Sequence, residues 1–177
     1  MKVLVLGLPG SGKSTQVDKL AEYLQVPTLK MGAILRDIVH QNGELGQRIS
    51  SVMLQGHLVD DEIVEEIISE KVETVGAKGF VMEGYPRTLH QIDSFDPGFE
   101  KVFYLKLDTE VAHQRMVSRA REDDNKEAIE NRFNEQMKDL DKILEHYQPI
   151  LTTVDATKGI DEIFEELVTN LPKKWEV

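Results

Sequence analysis

The residues Gly7-Leu8-Pro9-Gly10-Ser11-Gly12-Lys13-Ser14 satisfy the pattern G-x-x-x-x-G-K-[ST] directly after the apolar run Val3 to Leu6. No other feature restricts the fold as strongly. A glycine-rich loop between a buried strand and a helix turns backbone N–H groups inward around phosphate oxygens, and the helix N-terminus adds a favourable dipole. Gly10, Ser11, Gly12, Lys13, Ser14 and Thr15 are therefore the candidate triphosphate-binding residues. Lys13 supplies a cation for the β and γ phosphates, and Ser14 a hydroxyl for Mg²⁺. A glycine-rich turn with an incidental lysine is the bland alternative, and the match over the whole motif weighs against it.

The rest of the chain fits this start. Short runs rich in β-branched residues recur at Val3 to Leu6, Phe80 to Met82, Val102 to Leu107 and Ile150 to Val154, with a weaker one at Val26 to Leu29. They read as buried strands. Between them lie helical patterns such as Val17, Leu20, Ala21 and Leu24, or Ile160, Ile163, Phe164 and Leu167. Alternation of this kind predicts an α/β protein, here a P-loop three-layer α/β/α arrangement around a parallel, five-stranded sheet. Residues 30–59 break the rhythm with two helical patterns, around Ile34 to Val39 and Leu45 to Leu54, and no strand, so they read as a small helical insert. Asp124, three residues before Glu127, is the expected N-cap of a long helix running through Leu144.

Length and charge narrow the ligands. The 177 residues suit a single domain, 1–177, with a real core. A net charge of -11 argues against a nucleic-acid partner, since phosphate backbones are held by basic surfaces. No run approaches the roughly 20 apolar residues of a membrane span. The chain has no cysteine, and the five histidines, at 40, 57, 90, 113 and 146, show no ligand spacing, so no structural zinc is expected. The cytoplasm is the default compartment and a monomer the default assembly. A switch GTPase is discounted, because the only Asn-Lys pair, Asn125-Lys126, continues as Glu127-Ala128 and not as a guanine-reading N-K-x-D.

The arginines are distributed unevenly. Seven stand against fourteen lysines, and Arg115, Arg119, Arg121 and Arg132 fall within eighteen positions of an acidic chain. Arginine clamps phosphate through two parallel hydrogen bonds where lysine acts as a point charge, so an enzyme joining two polyanions has reason to gather it. The alternative is a solvated helix face whose arginines pair with Glu122, Glu130 or Glu135.

Taken together, the chain resembles adenylate kinase and its nucleoside monophosphate kinase relatives over essentially its full length. Gly7 to Gln16 looks like that family's opening, and Met31-Gly32-Ala33-Ile34-Leu35-Arg36 resembles the start of its monophosphate-binding helix pair. Gly56-His57-Leu58-Val59-Asp60-Asp61 resembles the return from that insert. Glu83-Gly84-Tyr85-Pro86-Arg87-Thr88, with Gln91 following, is similar to its D-G-[FY]-P-R-[TN] signature, and Asp155-Ala156-Thr157-Lys158 resembles its closing adenine loop. The resemblance implies ATP and AMP as substrates, Mg²⁺ as cofactor and reversible transfer of the γ-phosphoryl group to give two ADP. It assigns Lys13, Arg87, Arg119, Arg121 and Arg132 to catalysis, and Arg115 and Lys158, with Arg119, to ATP. It assigns Met31, Arg36, His57, Leu58, Val59, Gly84, Tyr85, Pro86, Arg87, Gln91, Arg121 and Arg132 to AMP, and Ser14 and Glu83 to Mg²⁺ through water.

Three departures from the family pattern stand out. Glu83 replaces the usual aspartate, Met31 and Ala33 replace the usual threonine and aspartate, and only Ala120 separates Arg119 from Arg121, leaving a vestigial lid at about 119–131. Methionine offers a polarizable apolar surface to a purine, and the Thr88 to Gln91 spacing looks like the adenylate enzymes, so AMP is the expected acceptor. A UMP or CMP kinase, and a nucleotide-binding protein of this fold with little transfer activity, are the alternatives. So short a lid is expected to exclude water poorly, and either to allow ATP hydrolysis without acceptor or to be compensated by a neighbouring subunit.

Overall fold

The structure is a computed structural model and describes residues 1–119 and 125–172. Five strands, β1 (Lys2–Gly7), β2 (Thr28–Lys30), β3 (Phe80–Glu83), β4 (Lys101–Lys106) and β5 (Leu151–Asp155), form one sheet in the order β2-β3-β1-β4-β5. Every neighbouring pair is parallel. The expected α/β class, strand number and strand direction are all as observed.

Parallel strands need crossovers, and helices supply them. They are α1 (Lys13–Leu24), α2 (Met31–His40), α3 (Glu44–Met53), α4 (Asp61–Val75), α5 (Leu89–Ser94), α6 (Thr109–Arg119), α7 (Lys126–Lys138), α8 (Leu140–His146) and α9 (Ile160–Thr169). The strand pleat divides the core into two. Val3 and Val5 of β1 face one layer with Val17, Leu20, Ala112, Phe133 and Leu167. Leu4 and Leu6 face the other with Ile68, Phe80, Tyr85, Ile143 and Tyr147. Burial on both faces of the sheet explains why its strands read as continuous apolar runs with no alternation. Each fully buried side chain of this kind contributes about 1.5–3 kcal/mol.

Two local expectations are corrected. The helix expected to start at an Asp124 cap starts at Lys126, with Asn125 as its cap and Asn125 Oδ1 accepting from Ala128 N at 2.9 Å; Asp124 lies outside the described residues. Both residues are short acceptors that favour caps, so sequence alone separates them poorly. The expected run through Leu144 is also interrupted. Asp139 leaves helical geometry at φ -111 and ψ 1, its carboxylate accepts from Leu89 N at 3.4 Å, and α8 restarts at Leu140 and buries Ile143.

The residues expected to form a helical insert fold as α2 and α3, which pack on each other between β2 and α4. Their return loop docks on α7. Asn125 Nδ2 donates to Leu54 O at 3.2 Å and Asn131 Nδ2 to Gln55 O at 2.9 Å. Gly56, at φ 78, lies so close that an added Cβ would sit 2.1 Å from Ala128 O. Gly56→Ala is therefore expected to lower the unfolding free energy by about 2 kcal/mol, from left-handed strain and loss of this docking. Urea denaturation measures it, and an unchanged midpoint would show that the contact contributes nothing.

Candidate active site

Ligands of open parallel sheets bind beyond the carboxyl ends of the strands. A cavity of about 520 Å³ opens there, bounded by the loop after β1, by α2, by the return loop after α3, by the segment after β3, and by α6 and α7.

The loop after β1 turns because Gly10 and Gly12 both take φ 86, a left-handed conformation that a side chain would resist. Gly10 also lies so near α6 that a Cβ would stand 2.4 Å from Ala112 O, whereas at Gly12 the space is open toward the cavity. Gly12 then caps α1, placing the helix N-terminus on the cavity. Lys13 Nζ donates to Gly7 O at 2.7 Å and Leu8 O at 2.8 Å, which brings its ammonium over the loop. Gly10, Gly12, Lys13, Ser14 and Thr15 line the cavity. Ser11 does not. It is 1% exposed, with its hydroxyl buried, so only its backbone could serve a phosphate.

Ser14 Oγ donates a short hydrogen bond to Glu83 Oε1 across the ends of β1 and β3. The pair presents hard oxygen donors at the cavity wall. This donor set fits Mg²⁺, which commonly takes one or two carboxylates plus substrate phosphates and keeps several waters. Among the described residues no cluster of three or more His, Asp or Glu side chains forms a dedicated metal cage. Glu83 thus reaches Ser14 despite its extra methylene.

Among the described residues six cations line the cavity, Lys13, Lys30, Arg36, Arg87, Arg115 and Arg132, against one acid, Glu83. In a chain of net charge -11 this is a local reversal of sign suited to polyanions. Arg36 comes from α2, Arg115 from α6 and Arg132 from α7. Arg87 is set by Arg87 Nε, which donates to Gly84 O at 3.0 Å, and by its backbone N–H, which donates to Gln91 Oε1 at 2.7 Å. Arg115 Nη1 donates to Ala156 O at 3.3 Å, joining α6 to the loop after β5 that resembles an adenine loop. Arg121 and the side chain of Arg119 lie outside the described residues.

Apolar groups complete the wall on the α2 side. Met31, 2% exposed, lines it with Leu35, Met53, Leu58, Val59 and Val64, beside His57, Gly84 and Gln91. Three expected contacts fall elsewhere. Tyr85 is 0% exposed, and its hydroxyl is shared between Gln91 O at 2.8 Å and Phe95 O at 2.6 Å, so it braces the loop from within the core. Burial first, then the charges of Glu65, Asp96 and Asp61, pushes its phenol well up, which keeps that hydroxyl protonated as a donor. Pro86, buried behind a cis Tyr85–Pro86 bond, likewise stays off the cavity wall. Lys158 is exposed and pairs with Glu166 at 2.7 Å, which raises its pKa chiefly through that hydrogen bond. Its side chain points along α9 and not into the cavity.

Sequence reasoning missed Asp61 and Gln136. Gln136 stands one turn after Arg132 on α7, and that spacing was the available signal for a shared face. Asp61 closes the segment 56–61 and holds the Gln91 side chain, a long-range pairing with no local signature.

Residues 5–151 match the family model described as adenylate kinase. A protein named adenylate kinase from Sinorhizobium medicae is 36% identical over 187 residues, covering 94% of this chain and 97% of that protein. Proteins of the same name from Nocardia farcinica and Mycobacterium tuberculosis are each 32% identical. The first alignment covers 97% of this chain and 99% of the relative, the second 98% and 100%.

Proposed function

This chain belongs to the adenylate kinase family, and on that premise we propose that it transfers the γ-phosphoryl group of ATP to AMP, reversibly and with Mg²⁺, giving two ADP. The family makes it a phosphotransferase acting on a nucleoside monophosphate. The observation that carries the finer reading is the joining, in one cavity, of the phosphate loop with arginines from four other segments. A protein that only bound ATP would have no use for Arg36, from α2, and Arg87, from the segment after β3, which line the cavity together with the apolar Met31, Val59 and Val64. Those apolar residues take the acceptor base, and Arg36 and Arg87 take its phosphate. The α2/α3 pair, within 30–59, is the acceptor-binding insert of a single domain.

Phosphoryl transfer asks little covalent chemistry of the protein, because charge is spread over the equatorial oxygens of a loose transition state. The acceptor phosphate is already anionic, so no general base is required. Lys13, the loop amides and Arg132 supply fixed positive charge where it develops, and the two ends of the cavity hold donor and acceptor in line. Ser14 and Glu83 would hold Mg²⁺, which neutralises phosphate charge when bound. Arg119 and Arg121 join Arg132 in this reading, and Arg115 lies against the ATP base beside Ala156. The protein works as a cytoplasmic monomer on free nucleotides.

The test is a product assay with Mg²⁺ and ATP plus AMP, UMP, CMP or GMP separately, and an acceptor-free control. AMP is expected to be consumed fastest, with ADP formed from both nucleotides. A UMP or CMP preference would keep the mechanism and move the base. Nucleotide binding without transfer to any acceptor would reduce the chain to a binding protein.

A further inference from the structure

The acceptor pocket contains a polar network that phosphate chemistry does not use. Gln91, on α5, is 2% exposed and lines the cavity. Its Oε1 accepts from Arg87 N at 2.7 Å, and its Nε2 donates to Asp61 Oδ1 at 2.7 Å. Asp61 opens α4, and its other oxygen, Oδ2, accepts from Thr88 Oγ1 at 2.9 Å, with His90 Nδ1 3.6 Å away. Thr88 Oγ1 in turn accepts from Gln91 N at 3.1 Å, so the residue is held by backbone and side chain together.

A carboxylate only accepts and a backbone N–H only donates, so these two neighbours permit one orientation of the amide. With both anchors made, Gln91 retains one lone pair on Oε1 and one hydrogen on Nε2. A fixed amide matches a base edge carrying an acceptor and a donor in one order and not in the reverse. A 6-amino purine presents the N6 donor beside the N1 acceptor, whereas a 6-oxo purine presents the O6 acceptor beside an N1–H donor. Reading the second edge means turning the amide over, which sets Oε1 against the Asp61 carboxylate and Nε2 against Arg87 N–H.

Resting on the AMP reading above, we propose that Asp61 is a specificity-determining positioning residue, locking Gln91 in the orientation that accepts a 6-amino purine monophosphate and rejects a 6-oxo one. Asp61 acts through Gln91 and needs no contact with the acceptor.

Asp61→Asn is nearly isosteric and can offer Gln91 either an oxygen or an NH₂, so it releases the lock while leaving Arg87 N–H in place. The experiment measures kcat and KM of the full chain and the variant with AMP and with inosine monophosphate, ATP and Mg²⁺ being present throughout. The ratio of kcat/KM for AMP over inosine monophosphate is expected to fall about tenfold, the order of discrimination that a hydrogen bond to a charged group supplies. The fall should come through the acceptor KM, with the ATP KM unchanged. Asp61→Ser keeps a short polar residue in the first turn of α4 and must show the same fall should the asparagine variant not fold. An unchanged ratio in a variant of a discriminating wild type overturns this proposal and leaves the AMP reading standing. A wild type that prefers neither nucleotide, or uses neither, overturns the AMP reading and this proposal with it.

Discussion

Lys13→Met is expected to lower kcat for ADP formation by about a hundredfold to a thousandfold, the scale of losing one preorganised charge at a transition state. Methionine keeps the length and apolar stem of lysine, so the change isolates the ammonium. That ammonium is held over the loop by the carbonyls of Gly7 and Leu8 at 2.7 and 2.8 Å. A charge already fixed where phosphate must arrive costs little reorganisation during transfer, and for that reason the loss should fall on kcat more than on the KM for AMP. The fold should survive. Val17 and Leu20, which tie α1 to the sheet, are 0% exposed and do not depend on Lys13, and thermal denaturation checks this directly. A variant within tenfold of wild-type turnover would sink the assignment.

What could be read from the sequence follows from how local each signal is. The loop at residues 7–14 carries its own geometry in its glycines, and the strand beside it is buried on both faces, so both are legible as short strings. The helices α2 and α3 show as well, through apolar spacing punctuated by Gly43 and Gly56. Asp139 and Tyr85 were not legible in the same way. The break at Asp139 depends on a contact with Leu89, fifty positions away, and Tyr85 sits in a motif that resembles a binding segment while its side chain turns inward to Phe95 and Gln91. Lys158 shows a related failure. A basic residue in a loop like an adenine loop reads as a ligand contact, but Glu166 one helix turn pair along α9 captures it. Motifs thus placed backbone segments well, whereas the direction of a side chain within a motif was decided by partners remote in sequence.

Arg87 tests the proposed acceptor half of the site as Lys13 tests the proposed donor half. Its guanidinium is oriented by Nε, which donates to Gly84 O at 3.0 Å, on a residue that lines the cavity, and a guanidinium meets phosphate as a planar fork. Apart from that bond the loop beneath is braced by the Tyr85 hydroxyl, which donates to Gln91 O and Phe95 O, and by Gln91 Oε1, which accepts from the Arg87 backbone N–H. Arg87→Ala should therefore leave the loop in place and remove one phosphate clamp. The expected result is a fall in kcat/KM for AMP of about 10³-fold, with the KM for ATP unchanged. Arg87→Lys restores the charge without the fork and should recover only part of this loss. Steady-state kinetics with each substrate varied in turn distinguishes the outcomes. A variant impaired equally toward ATP and AMP would place Arg87 between the two nucleotides and return the acceptor phosphate to Arg36 alone, whereas one that lysine fully rescues would make the site a field of positive charge with no need of bidentate geometry.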